Sequence, residues 1–400
     1  MKDMENKKVL VSGASMAGLT SAYWLNENGF DVTIVERASK IRGGGYPIDV
    51  RGSAINVVQM MGIHEELNAQ NLNNMKFNIL DNQNNITSKF TDESMKDNKD
   101  IEIPRGDLTH ALYKAVQEKN IKIIFNDSIK TIVALNNGVE TELESGIKKQ
   151  YDLVVGADGI HSNTRKLTFG EEENFTKYLG HCFTGFTMEN YLDMHKEAVI
   201  YSEAGRTAIM YATENKESVH AFLVFSDEKE PFVNHRNIEE HKKLVKNKFK
   251  NISGIVPKLL EALDKSEEIF FDTTTQVIMD DWSKDNIVLT GDAAHAPSFL
   301  TGQGSSLAMI GSYILANELK NNNNINDALS TYEKIMKPFA EINQKAIENE
   351  GSFILYPKNE EEMEKRSVIL KQLENMNKED MEAHDMIDIT RVIEYPNLSN

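Results

Sequence analysis

Through the first third of the chain, short continuous apolar runs alternate with longer amphipathic stretches, the pattern of an α/β sheet. The segments "KKVLVSG" and "DVTIVER" flank a helical stretch from Ala17 to Asn28. Their unbroken cores, "VLV" and "TIV", predict parallel strands covered on both faces. A strand and helix follow in "IEIPRGDLTHALYKAVQ". In "IKIIFNDSIKTIVALNNGVETELESGIKKQYDLVVGADG", the turn dipeptides Asn137-Gly138 and Ser145-Gly146 separate alternating segments. This predicts an antiparallel meander ending in the buried strand "DLVVGAD". From about Cys182 to Met279 the style changes to strand-like segments such as "CFTGFTMEN" and "VHAFLVFSD", with helices from about Ile238 to Leu263. These features predict a second, mainly antiparallel domain inserted into the first. The strand, loop and helix style returns with "NIVLTGDAAHAPSFLTGQGSSLAMIGSYILANELK". The asparagine run at 321–324 reads as a loop, and charged helical sequence follows. The expected division is a discontinuous α/β domain at 1–71, 99–177 and 272–320, an antiparallel domain at 72–98 and 178–271, and C-terminal helices at 321–400.

Composition narrows the function classes. An apolar content of 40% over 400 residues is that of a folded globular protein with a substantial core. No run of about eighteen apolar residues occurs, and "MKDMENKK" leads directly into a strand, so a cytoplasmic protein without a membrane partner is expected. The net charge of -18 argues against nucleic acid. The single cysteine, Cys182, excludes an internal disulfide or thiolate cluster and reads as a core residue. No histidine spacing suggests a metal, so none is expected.

Candidate chemistry begins at "GASMAG", where Gly13, Ser15 and Gly18 match G-x-G-x-x-G with serine in the middle. Gly13 permits the tight turn, and Gly18 permits close packing of the helix. Serine at the middle position takes room near a pyrophosphate held on the helix N-terminal amides, but its hydroxyl can donate a hydrogen bond. Alone, the match is weak. It gains weight because it joins a strand to a helix and precedes Glu36, about twenty residues on, where an acid can bind a ribose 2′-hydroxyl and repels a 2′-phosphate. FAD or NAD, rather than NADP, is therefore the expected resident ligand. Downstream, "DLVVGADGIHSNTR" and "NIVLTGDAAHAPSFLTGQG" each place a Gly/Asp loop after a buried strand, at the sheet edge where ligands bind.

With these loops the sequence resembles the FAD-dependent aromatic hydroxylases typified by para-hydroxybenzoate hydroxylase. The resemblance runs to about Pro338 through the glycine turn, Glu36, "RGDL" at 105–108, "GADG" with Ser162 and Arg165, and "GDAAH" followed by "GQG". Each motif is common; five in order are specific. Within that family "RGGGYPIDVRG" at 42–52 and "ADGIHS" are most similar to the tetracycline-inactivating flavin monooxygenases.

The resemblance implies a Rossmann-like FAD-binding domain with an inserted antiparallel-sheet substrate domain and C-terminal helices. It makes Gly13, Ser15, Ala17, Gly18, Glu36, Arg37, Arg105, Gly291, Asp292 and Pro297 candidate FAD contacts. Asp292 would accept from the ribityl chain, and Gly302, Gln303 and Gly304 would present helix amides to the flavin. Asp158 would lie where FAD meets a transient NADPH, Asp49 would touch flavin, and Arg42 and Arg51 would help NADPH approach. Thr184, Phe186, Arg206 and Met210 are the candidate substrate-lining residues, with a core role for Phe186 and Met210 as the competing reading. The implied reaction is NADPH- and O2-dependent hydroxylation of a polycyclic or phenolic small molecule through a flavin C4a-hydroperoxide, with tetracycline inactivation as the narrower implication. No side chain is named as a proton-transfer catalyst, and a monomer is expected. Competing readings are a flavin oxidase or dehydrogenase that uses no NADPH, and a non-catalytic flavoprotein that sequesters a drug. The absence of a second dinucleotide fingerprint argues against a permanent NADPH domain. With only Trp24 and Trp282, the WxWxIP signature of flavin halogenases is excluded.

Overall fold

The computed structural model of the chain describes residues 6–41, 43, 47–72, 75–91, 100–213, 217–231, 237–346, 355–373 and 391–399. The strands read as continuous apolar runs assemble a six-stranded sheet. Its order is β17 (Ser283–Lys284), β18 (Ile287–Leu289), β11 (Leu153–Gly156), β1 (Lys8–Ser12), β2 (Asp31–Glu36) and β7 (Lys122–Phe125). All pairs are parallel except the short edge strand β17. On one face Val9, Val11, Leu153 and Val155 pack in a core with helices α1 (Met16–Glu27), α4 (Arg105–Gln117) and α9 (Gly304–Asn321). On the other face Leu10, Val35 and Val154 pack against the meander β8 (Ile129–Leu135), β9 (Gly138–Leu143) and β10 (Lys148–Tyr151). The covering of both faces explains why these strands carry no polar alternation.

The second sheet has seven strands, ordered β16 (Phe270–Val277), β12 (Thr176–Glu189), β15 (Ser218–Ser226), β14 (Arg206–Ala212), β13 (Glu197–Glu203), β4 (Lys76–Leu80) and β5 (Ile86–Thr91). Every pair is antiparallel except β13 with β4. Helices α6 (Ile238–Phe249) and α7 (Val256–Lys265) cover one face through Val245, Phe249, Leu259 and Leu263. The opposite face carries Ile200, Ile209, Tyr211 and Phe222, against which Leu370 of α11 (Glu360–Leu373) packs.

Shorter elements join the two sheets. They are the strand pair β3 (Pro47–Val50) and β6 (Ile101–Pro104), and helices α2 (Ser53–Met60), α3 (His64–Asn68), α5 (Asn163–Phe169) and α8 (Asp292–His295). Helix α10 (Ile325–Lys345) packs on α9 through Tyr332 and Met336, and its first turn is closed by the Asn324 side chain, which accepts from the Asp327 amide. The C-terminal residues 391–399 return to the first sheet's helices. There Tyr395 Oη donates to Glu318 Oε1 at 2.8 Å and Ser53 Oγ donates to the Leu398 carbonyl at 2.7 Å. Among the described residues, no helix is long and apolar enough to cross a membrane.

Candidate active site

Strand β1 delivers the chain into Gly13, whose φ of +104° favours glycine; a Cβ there would lie 2.4 Å from the Ala157 carbonyl oxygen. A Cβ on Gly18 would lie 1.9 Å from the Gly13 carbonyl oxygen, so glycine is needed for α1 to close on the strand ends. Ser15 occupies the N-cap of α1, but its side chain does not cap the helix and the first turn holds no acid. Instead Ser15 Oγ accepts from Arg105 Nη2 at 3.0 Å. The first amides of α1 thus lack side-chain acceptors, leaving a positive helix end suited to an anion. At the end of β2, Glu36 accepts from the amides of Ala14 and Ala38 at 2.8 and 2.7 Å, which fixes its carboxylate beside the glycine turn. Ala17 is buried where a Cβ on Gly291 would lie 2.7 Å from its methyl, whereas Arg37 is exposed.

Asp292 begins α8, with Gly291, at φ +61°, as the N-cap; the aspartate side chain is not itself the cap. Its carboxylate is exposed to solvent although protein surrounds it on all sides, so it opens onto an internal cleft. Burial within the protein pushes its pKa up to about 6, with Arg105 opposing and Asp272 reinforcing the rise. A Cβ on Gly304 would stand 3.7 Å from Asp292 Oδ1, so the carboxylate adjoins the start of α9. That 18-residue helix also begins without a side-chain cap and without an acid in its first turn. Gln303, its N-cap, is buried and its amide donates to Thr301 Oγ1 at 3.1 Å. Pro297 is buried, its carbonyl accepting from Gln276 Nε2 at 3.3 Å.

Next along the cleft, Gly302 faces the carboxylate of Asp49, with Asp49 Oδ2 3.4 Å from the position a Cβ would take. Arg51 Nη2 pairs with that carboxylate at 2.8 Å, and the Arg51 amide donates to Ser306 Oγ in the first turn of α9. Arg42 lies outside the described residues.

Asp158 is fully engaged locally. It accepts from Ser12 Oγ, Ser162 Oγ, and both the amide and hydroxyl of Thr164, while Ser162 Oγ caps α5 by accepting from the Arg165 amide. Its carboxylate therefore holds the loop after β11 together, while the residue itself is half-buried. In the same loop His161 pairs with Glu172 at 2.9 Å and with Asp272 of β16 at 3.5 Å. Burial lowers the His161 pKa, but Asp272 and Glu172 outweigh it and raise it to about 10, so the imidazole is a cation at neutral pH. Sequence reading missed this bridge between the two sheets, since neither residue belongs to a motif that pairs them.

Among the expected substrate-lining residues, Phe186 and Met210 take the competing core role. Thr184, Phe186 and Met210 do not face the cleft. Phe186 and Met210 pack in the core under α6 and α7, and Thr184, fully buried, shares the parity of Cys182 and Phe186 along β12. Arg206 begins β14, opposite Glu203 at the end of β13 and paired with it at 3.3 Å. Successive strand side chains point to opposite faces, so an assignment off by one residue selects the wrong side of the sheet. The opposite face carries Phe183, itself buried, whose ring stacks on half-buried Phe299 at 4.3 Å, with Tyr356 at 6.4 Å from Phe299. It also carries Tyr211, whose hydroxyl donates to Glu102 at 2.8 Å. The odd positions of β12 and β14 were the signal; choosing between the two parities required knowing where α6 and α7 would pack.

FAD fits this arrangement on the structure's own terms. Two helices that pack on each other, α1 and α9, both begin uncapped toward the same cleft, and between them lie Arg105 and the open carboxylate of Asp292. An elongated dinucleotide with a central pyrophosphate matches that sequence of donors and acceptors.

The profile of the FAD binding domain family matches residues 6–346. A flavin-dependent monooxygenase from an unknown prokaryotic organism is 35% identical over 342 residues, covering 84% of this chain and 88% of its own length. Another, from Legionella longbeachae serogroup 1, is 32% identical over 345 residues, covering 85% and 88%. Among solved structures, tetracycline destructase Tet(51) superposes with a TM-score of 0.83 at 30% identity, over 98% of this chain and 99% of that one. Tet(55) superposes at 0.81 and 31%, over 94% and 97%. HpxO of Klebsiella pneumoniae, complexed with FAD and uric acid, shares the fold at 18% identity, with a TM-score of 0.73 over 96% of each chain.

Proposed function

From the premise that the chain belongs to the FAD binding domain family and is a flavin-dependent monooxygenase, we propose that it hydroxylates a planar polycyclic or phenolic compound at the expense of NADPH and O2. Tetracyclines are the first candidates, supported by the likeness to Tet(51) and Tet(55). The observation that carries the reading is the cleft itself: uncapped α1 and α9 with Asp292 at one side, and the aromatic rank Phe183, Phe299 and Tyr356 at the other.

Bound FAD supplies the redox chemistry, taking electrons from the reductant and activating O2. The chain's own residues bind, orient and exclude water. In this reading Glu36 holds the adenosine ribose, while the α1 amides and Arg105 hold the pyrophosphate. Asp292 accepts from the ribityl hydroxyls, and the positive start of α9 favours negative charge at Gly302–Gly304. Arg51 is the described cation best placed to meet an anionic reductant near Gly302. Phe299 and Tyr356, half-buried and backed by Phe183, offer flat apolar surfaces for a planar substrate. No acid or base is assigned, because a phenolate or enolate substrate is already electron-rich.

The test is mass spectrometry of products from a panel of polycyclic and phenolic compounds, tetracyclines included, incubated with NADPH and air. A product heavier by one oxygen, formed in step with NADPH consumption, is expected. Peroxide without NADPH consumption would instead mark an oxidase, and binding without any turnover a sequestering protein. A pair of variants tests the corrected face. Phe186→Ala should lower stability by about 3–5 kcal/mol with KM unchanged. Phe183→Ala should raise KM severalfold with a smaller loss of stability. The reverse assignment of KM and melting effects would return the substrate to the other side of the sheet.

A further inference from the structure

We propose that Arg391, in the C-terminal segment, is a positioning residue of the flavin site: it neutralises Asp100 so that Arg51 remains on Asp49 beside Gly302. Four groups of alternating charge run from the tail to the cleft. Arg391 Nη1 lies 3.2 Å from Asp100 Oδ2, the same oxygen lies 3.8 Å from Arg51 Nε, and Arg51 Nη2 lies 2.8 Å from Asp49 Oδ2. Asp100 is 2% exposed and Arg391 10% exposed, so solvent screens the inner pair little. Removing Arg391 withdraws positive charge from the buried Asp100, and Arg51, 3.8 Å away, is then drawn more strongly toward it. The group that Arg51 would desert is Asp49, at the edge of Gly302.

Backbone geometry shows that this docking is built in. Gly52, at φ +53°, leaves room for the Arg391 carbonyl oxygen, which would lie 2.1 Å from a Cβ there. The Ile393 amide donates to Ser53 Oγ at 3.1 Å. Arg51 itself is tied to the start of α9 through Ser306. The tail's charge is thus relayed to the loop that the proposed function assigns to the flavin, and the inference rests on that reading.

The test is the flavin midpoint potential of reconstituted holoenzyme, measured first on the wild type, so that failure to take up FAD would be seen separately as failure of the flavin site. Arg391→Ala should retain FAD but bind the reduced form about tenfold less tightly relative to the oxidised, a fall of ~30 mV for a two-electron couple. Arg391→Lys should hold the wild-type value, and adding Asp100→Asn to Arg391→Ala should restore it. Tyr395→Phe, which removes a different tie of the same segment, should leave the potential alone. No shift in Arg391→Ala, an equal shift in Tyr395→Phe, or no restoration by Asp100→Asn would overturn the proposal. If Arg391→Ala does not fold, Arg391→Gln takes its place: a fall in potential supports the relay and an unchanged potential overturns it.

Discussion

Gly18→Ala should purify without flavin and unfold at lower denaturant than the wild type. The added methyl would lie 1.9 Å from the Gly13 carbonyl oxygen, and Gly13 cannot retreat: its amide donates to the Val35 carbonyl at 2.8 Å, and its own Cβ position is 2.4 Å from the Ala157 carbonyl oxygen. Helix α1 must therefore shift, and its first amides lose their common aim. Overpacking of this kind costs about 1–3 kcal/mol in stability, and the binding loss adds to it. The checks are visible absorbance of the purified protein and a urea midpoint. Wild-type flavin content would mean that the α1 amides are not the pyrophosphate site. Ser15→Gly should be benign by comparison, since the helix does not depend on that side chain for its cap.

Asp292→Ala should weaken FAD binding by roughly ten- to 150-fold, the effect of about 1.5–3 kcal/mol for hydrogen bonds to a charged acceptor. The pH dependence follows from the raised pKa. Burial holds the folded, ligand-free carboxyl near 6, above its ordinary 3.8, so its ionisation destabilises the ligand-free fold progressively as pH rises from about 4 through 6. A donor hydroxyl offsets that cost. FAD affinity should therefore increase with pH up to about 6 and level off above it, and Asp292→Asn should flatten the profile. Fluorescence titrations between pH 5 and 8 would read this out, and a sloping profile in the Asn variant would move the titration to another group.

How legible these features were depended on how local their causes are. Gly13, Gly18 and Glu36 announce themselves because a strand-to-helix turn and the acid about twenty residues on are fixed by short-range geometry. Helix α1 begins at Met16 rather than Ala17 and ends at Glu27 rather than Asn28, the ordinary uncertainty of helix ends. Along β12 the alternation of Cys182, Thr184 and Phe186 against Phe183 was visible, but which parity faced the cleft depended on α6 and α7, more than fifty residues downstream. Asp158 is singled out by its motif, but the bonds of its carboxylate to Ser12, Ser162 and Thr164 are legible only in the folded chain. Pairings such as Arg391 with Asp100, or His161 with Asp272, arise only from the final packing and leave no periodic trace.

The order of strands also governs how the protein is made. Strand β18, which sits beside β11 in the first sheet, begins at Ile287, and β1 begins at Lys8. At ordinary synthesis rates of roughly 5–20 residues per second, the nascent chain waits roughly 15–55 seconds between making β1 and making β18. From the completion of β11 at Gly156 to the start of β18, roughly 7–26 seconds at that rate, Gly13, Glu36 and Arg105 exist without Asp292 or the start of α9, and the apolar edge of β11 stands unpaired. FAD capture is therefore a late event in biosynthesis, and slowing translation should lengthen the window in which this edge is open to aggregation.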